Sequence, residues 1–399
     1  MRIEFNCGSH ISNESPMRGE SQCAHYLRAN SRKVLLVLVV CAHYFFTPPA
    51  SAGTRSPQRS ASGNFVWTVD TIGADGSTLY DCCVVNDSLA YAVGWIMPSD
   101  SARKSHSIDW YNAAVWNGSK WTPFQVPVYY NGRRTFSPIH SVFARNKNDV
   151  WFGMYYMVHW NGRSYSQVFP KTGSFENKIW ESRDGSDLYA AEDYGMISYS
   201  HDHGKEWEVV RPCTGLSFHD IWGAGGQVLA IASDRSGHEC LVRIDGDSAV
   251  QVDETLPFEQ SVSGVWFMPD SEYFLVGNGI FESKTLRRRI WRYDPFIWHL
   301  NSYEFAVRGS SADNVFIAGE SGSIARWNGR TWKLFSTLKH AHDRLEAISV
   351  KNDLVVAVGQ RYYSTVNMYG VIYTGERKTV TDGYSTGKKE RTARVAVIK

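Results

Sequence analysis

The feature that most constrains this chain is that it repeats itself. Seven segments carry the same short apolar strand, most of them ending in Gly: "NDSLAYAVG", "KNDVWFG", "GSDLYAAE", "GGQVLAIAS", "DSEYFLVG", "ADNVFIAG" and "KNDLVVAVG". Each follows another apolar strand ("LYDCCVV", "IHSVFA", "KIWES", "HDIWGA", "SGVWFM", "FAVRGS", "LEAISV"). A third strand with an aromatic residue comes next, as in "AAVWNG", "MVHWNG", "MISYSHDHG", "RIWRYD" and "SIARWNG". A fourth begins at or near Trp121, Tyr165, Trp207, Trp298 and Trp332. Four strands every ~40 residues is the propeller period. Period-2 alternation between turn residues indicates antiparallel sheet, and no segment keeps a helical period. One four-stranded blade cannot bury both of its faces, so the blades must stack around an axis. The expected fold is therefore all-β, a seven-bladed propeller of four-stranded antiparallel blades.

The last repeat lacks a Trp-led fourth strand after "GVIYTGE", while "NFVWTVDT" at the other end is unmatched and carries Trp67. The N-terminal strand is expected to complete blade seven, which removes two exposed edges at once. "RTARVAVIK" is the competing candidate. Stacked sheets need bulky residues between them, which accounts for much of the 15 Trp and 21 Tyr.

The propeller is assigned to residues 65–376, preceded by a leader (1–52) and a linker (53–64), and followed by a basic tail (377–399). In the leader, "RKVLLVLVVCAHYFFTPPASAG" has a basic flank, an apolar run from Val34 to Phe46 and an A-x-A site at Ala50 to Ala52. This reads as a secretory signal cleaved before Gly53, with Met17 an alternative start. The run is short of the ~20 residues of a span, so no stable membrane insertion is expected. The protein is expected to be secreted or periplasmic and monomeric. A net charge of +2 gives no field for nucleic acid. Oxidising compartments permit disulfides. Cys213 and Cys240 fall at the same end of blade four and are the expected bridge; adjacent Cys82 and Cys83 are expected to be two buried thiols.

The stretch "YSHDHGKEW" contains Ser200-x-Asp202-x-Gly204-x-x-Trp207, with reduced versions at Asn117, Asn161 and Asn328. An Asp or Asn accepts backbone hydrogen bonds in such a turn, Gly takes positive φ, and Trp packs between sheets. By this motif the chain resembles the Asp-box (BNR-type) propellers over Phe65 to Glu376, the superfamily of sialidases, certain endoglucanases and photosystem-II-assembly-factor-like propellers. It looks most like uncharacterised exported bacterial members of that last kind. The resemblance implies the fold and a structural role for the box, not an activity. The Arg-Ile-Pro motif of sialidases is absent.

Turns between strands one and two, and three and four, share one face. Loops between strands two and three, and between blades, share the other. The longest insertions lie on the second face in neighbouring blades: "IMPSDSARKSHSIDWYN", "VPVYYNGRRTFSP" and "QRYYSTVNMYG". They bring Trp110, Tyr111, Tyr130, Arg134, Arg361 and Tyr363, side chains suited to partner or sugar surfaces. Hence the expectation of a binding or scaffold module for a glycan or protein partner on the loop face of blades seven, one and two, with no cofactor and no metal. "HAHD" (His340 to Asp343) lacks a third ligand, and "HDH" (His201, His203) reads as solvated turn. The alternative is a glycoside hydrolase, which needs two carboxylates at the axis. Asp100, Asp109, Asp234, Glu239 and Glu282 are the available acids; no spacing pairs any two of them.

Overall fold

The computed structural model describes residues 64–98, 110–168, 176–182, 184–192, 195–210, 216–246, 248–252, 261–286, 291–300, 302–364 and 367–378. It contains seven four-stranded antiparallel sheets and one two-stranded ribbon. The innermost strands are Thr78–Asn86, Ser141–Asn146, Glu176–Glu181, Ser217–Ala224, Val262–Met268, Glu304–Ser311 and Asp343–Lys351. Each touches the next, and the last touches the first, so the ring is complete. The chain is a seven-bladed propeller.

The seventh sheet contains the N-terminal strand. Asn64–Ile72 lies outermost, antiparallel to Asn367–Lys378, with Trp67 opposite Gly375. Trp67 packs edge-on against Phe335 of blade six at 5.3 Å. The other outer-strand tryptophans also reach back one blade. Trp207 meets Trp151 of blade two at 6.0 Å. The Trp121 indole N–H donates to Thr374 Oγ1 of blade seven (3.1 Å), and that of Trp332 to Glu282 of blade five (2.9 Å). Inner-strand tryptophans reach forward instead. Trp180 lies on Gly223 of blade four and Trp266 on Gly309 of blade six, where a Cβ would stand 2.4 and 2.6 Å from the indole. The tryptophan count is thus mostly packing between blades.

Two side chains latch blades together near the axis. Asp81 accepts from the Val142 N–H of blade two (3.0 Å) and from Lys178 of blade three (2.6 Å). Asp220 repeats the device: it accepts from the Val265 N–H of blade five (2.9 Å) and holds Arg308 of blade six at 2.8 and 2.5 Å. Burial opposes the Arg308 charge, but the Asp220 carboxylate outweighs it and raises its pKa. Cys82 and Cys83 are free thiols facing opposite seams, bonded to the Val356 carbonyl of blade seven and the Ala144 carbonyl of blade two. Burial raises both pKa values, that of Cys83 to about 11.

Blade five departs from expectation. Its third strand is Gly279–Ser283 and its fourth the two residues Arg292–Tyr293, so "RIWRYD" is not the third strand. Trp298 falls within the short helix Ile297–Leu300 rather than a strand. Residues 287–290 lie outside the described residues. Cys213 lies outside them too, and Cys240 is buried on the third strand of blade four.

Candidate functional site

A cavity of 1770 Å³ follows the axis and is lined by inner-strand residues of all seven blades. Its loop-face end is shaped by a repeated irregularity. In blades one, three, four, five, six and seven the inner strand slips register once near its start. Such a bulge leaves one residue outside the ladder and re-aims it. The extra residues are Tyr80, Asn177, His219, Ser263, Phe305 and Glu346; Tyr80, His219, Ser263, Phe305 and Glu346 line the cavity. Blade two has no slip there; His140, just before its strand, stacks on Tyr80 at 4.9 Å.

The mouth mixes aromatic and charged groups. The Arg344 guanidinium lies 4.2 Å from the Phe305 ring and 2.6 Å from Glu346. Burial pushes the Glu346 carboxyl up, against the pull of Arg344 and Lys178. Glu239, at the loop-face start of its strand, is pushed to about 7 by burial, although Ser261 donates to it at 3.1 Å.

Around the mouth stand the insertions. "VPVYYNGRRTFSP" forms the ribbon Val128–Tyr130 and Arg133–Thr135, turning at Asn131 and Gly132 with φ of 47° and 73°. Positive φ at both central residues is what a right-twisting hairpin requires, and Asn-Gly supplies it. "QRYYSTVNMYG" is not a loop either. Strands two and three of blade seven continue through it as a hairpin, pairing Tyr362 with Met368 and Ser364 with Asn367. Most of "IMPSDSARKSHSIDWYN", with Asp100 and Asp109, lies outside the described residues.

The six residues singled out from sequence separate into two kinds. Tyr130 and Tyr363 are 57% and 52% exposed, and Arg134, also exposed, lies 4.9 Å from the Phe136 ring. Tyr129, Tyr155 and Tyr362 add to the exposed set. Trp110 instead packs edge-on against Trp95 at 4.5 Å, and Tyr111 against the core of blade one. Arg361 is committed: its guanidinium holds the fully buried Asp343 at 2.6 and 2.7 Å. Asp343 also accepts from Tyr373 (2.6 Å) and lies 2.9 Å from His340, so "HAHD" is a structural network.

The Asp box turn is fully bonded. Asp202 accepts from the N–H groups of Lys205 and Glu206 at 3.0 and 2.9 Å, and Ser200 from that of Gly204 at 2.8 Å. Backbone donation holds the Asp202 carboxyl below its usual range. The Asn117, Asn161 and Asn328 turns use the same acceptor geometry. Glu282 lies beside Trp332 and Arg292, its carboxyl pushed to about 7 by burial.

His203 is not simply solvated. Among the described residues it forms, with Asp149 and His159, a group of three ligating atoms within 4.8 Å of one another. Sequence reasoning missed it because the three belong to two blades.

No family model and no curated protein matches the chain. Solved structures do. YCF48 bound to D1 peptide aligns at 17% identity over 77% of this chain and 96% of that one, with a TM-score of 0.57. YCF48 from Cyanidioschyzon merolae aligns at 15% identity over 78% and 98%, with a TM-score of 0.52. At these identities the likeness is one of fold.

Proposed function

We propose that this protein is a binding module that seats an extended segment of a protein partner across the loop-face mouth of the axial cavity, gripped by the rim of blades seven and two. One observation carries the reading. Five of the large apolar side chains left exposed are loop-face tyrosines: Tyr129, Tyr130, Tyr362 and Tyr363 of the rim insertions, and Tyr155 of the short connection between Asp149–Gly153 and Met157–Trp160 in blade two. Tyrosine offers large contact area with little conformational entropy to lose, and it is enriched at interfaces. The structural neighbour seen with a bound D1 peptide supports a peptide ligand on this fold. We further propose that the chain is exported after cleavage before Gly53, acts as a monomer, and resembles the Asp-box propellers in its turns.

The test is a peptide array and a glycan array probed with wild type beside Tyr363→Ala and Tyr130→Ala. Binding to a peptide set that both variants lose supports the reading. Binding to glycans alone, or peptide binding undiminished in both variants, sinks it.

A further inference from the structure

On the opposite face from the proposed partner surface, three side chains of blades two and three converge. Asp149 opens the second strand of blade two, His159 lies on its third, and His203 sits in the Asp box turn of blade three. His159 Nε2 is 2.8 Å from Asp149 Oδ1, and His203 Nε2 is 3.4 Å from Asp149 Oδ2. Each ring is held. His159 stacks on Trp151 at 4.1 Å. His203 adopts φ of 61°, and the next residue, Gly204, lies so close to Trp151 that a Cβ would stand 2.2 Å from it. Left-handed backbone at a non-glycine residue is uncommon and needs surrounding structure to hold it.

The proton inventory points to a cation. His203 Nδ1 lies 3.1 Å from the Gly185 carbonyl and 3.0 Å from Glu181 Oε1, both acceptors only. Arg145, paired with Glu181, is farther from that nitrogen at 3.5 Å. Nδ1 therefore carries the proton. In the neutral ring, Nε2 then turns a lone pair toward a carboxylate oxygen, which is repulsive unless a positive charge lies between. That charge is a second proton or a metal ion. The His203–Asp149 spacing of 3.4 Å suits the metal, since a tetrahedral ion with bonds of about 2.0–2.1 Å separates its donors by about 3.3 Å. His159, hydrogen-bonded directly to Asp149 at 2.8 Å, moves back by roughly 0.5 Å to admit the ion. Glu181 accepting from the far nitrogen of a ligating histidine is the usual outer support for such a ring.

We infer that Asp149, His159 and His203 form a binding site for a divalent transition metal of the zinc type, stapling blade two to blade three with one coordination position open to water. Two imidazoles and a carboxylate suit Zn2+, Co2+, Ni2+ or Cu2+ rather than Mg2+ or Ca2+. The Asp149, His159 and His203 side chains are 15%, 16% and 35% exposed, so the ion has a way in.

The full chain is titrated with Zn2+ and with Co2+ at pH 7.5, by calorimetry and by visible absorption. Wild type is expected to bind one equivalent at this site, with the intense bands of four-coordinate Co2+, and to melt higher with Zn2+. His203→Asn, which keeps a side chain tolerant of left-handed backbone, should weaken that component by about a hundredfold, and Glu181→Gln by about tenfold. His159→Ala gives a second reading of the same loss, and metal-free melting shows which variants fold. If wild type has no component that His203→Asn removes, the group is a protonated hydrogen-bond network and the inference is wrong.

Discussion

On the turn face, Asp202, Asn117, Asn161 and Asn328 each accept backbone N–H groups of their own turn. On the loop face, Tyr130 and Tyr363 stand more than half exposed. One face spends its side chains on its own backbone; the other holds large apolar area in water. Exposed area of this kind is what a partner removes from solvent. Two residues show how fine the division is. Arg361 and Tyr363 lie two apart on one strand, yet Arg361 neutralises a buried carboxylate and Tyr363 is 52% exposed.

The harshest way to break this comparison is to open the ring beneath both faces. Deleting residues 53–72 removes the outer strand of blade seven and exposes the edge of Asn367–Lys378. The melting temperature should fall by on the order of 10 °C or more, at ~2 °C per kcal/mol for a chain of this size. A deletion that melts like wild type would show that the N-terminal strand adds nothing to the ring.

Next come the inter-blade contacts. Trp207→Ala empties a site buried against Trp151 and should cost about 3–5 kcal/mol in denaturant unfolding. Asp220→Ala leaves Arg308 without its partner, and Arg361→Ala does the same to Asp343; each should cost about 3–5 kcal/mol.

Acidity reaches the faces in opposite senses. Glu304, fully buried at the loop-face start of blade six, is pushed to about 8 by burial, although Ser302 donates to it at 2.7 Å. A raised carboxyl binds its proton more tightly when folded. Its contribution is therefore greatest at or below the ordinary Glu value and is lost as pH rises from ~4.5 to ~8, a few kcal/mol in all. Glu304→Gln should flatten that slope. Asp184 and Asp202 on the turn face are lowered, first by the Ser182 hydroxyl and by the Glu206 N–H respectively. Their contribution is present above ~3.8 and lost as pH falls through the folded value. Thermal melts from pH ~2 to pH ~9 separate the two.

Smaller again is Asp202→Ala, which orphans turn donors that water can partly satisfy and should lower the denaturant midpoint only slightly. Smallest is Tyr363→Ala, expected within about 0.5 kcal/mol of wild type in stability. A large loss there would mean that the tyrosine rim is part of the packing, and the contrast between the faces would fail.

Much of this was legible in the chain. The paired apolar strands fix seven blades, because each repeat states its own sheet. Trp67 marks the N-terminal strand as the missing partner, since the outer strands of blades one and six open on Trp121 and Trp332 and that of blade three follows Trp207. Blade five misled because its true third strand, "GIFES", has Phe in place of Trp, and "RIWRYD" imitates one. The bulges at Tyr80, His219 and Phe305 were not legible; a one-residue slip shifts the alternation by one place, which strands of 8 or 9 residues are too short to display. The same holds for the Asp81–Lys178 and Asp220–Arg308 latches and for His203 meeting Asp149. Repeat alignment assigns a residue its level in a blade but not which neighbour's side chain shares that level. Arg361 was read as an open cation because its partner, Asp343, lies on another strand.

The pairing of Thr68 with Thr374 joins residues 306 positions apart. A ribosome adding roughly 5–20 residues per second needs about 15–60 s to cover that distance. For that interval the first strand has no partner and the third strand of the last blade does not yet exist. Six sheets can assemble locally as they emerge, but the seventh must wait until Asn367–Lys378 has been made. Until that strand is made the ring is an open arc, and the first strand keeps a row of unpaired N–H and C=O groups.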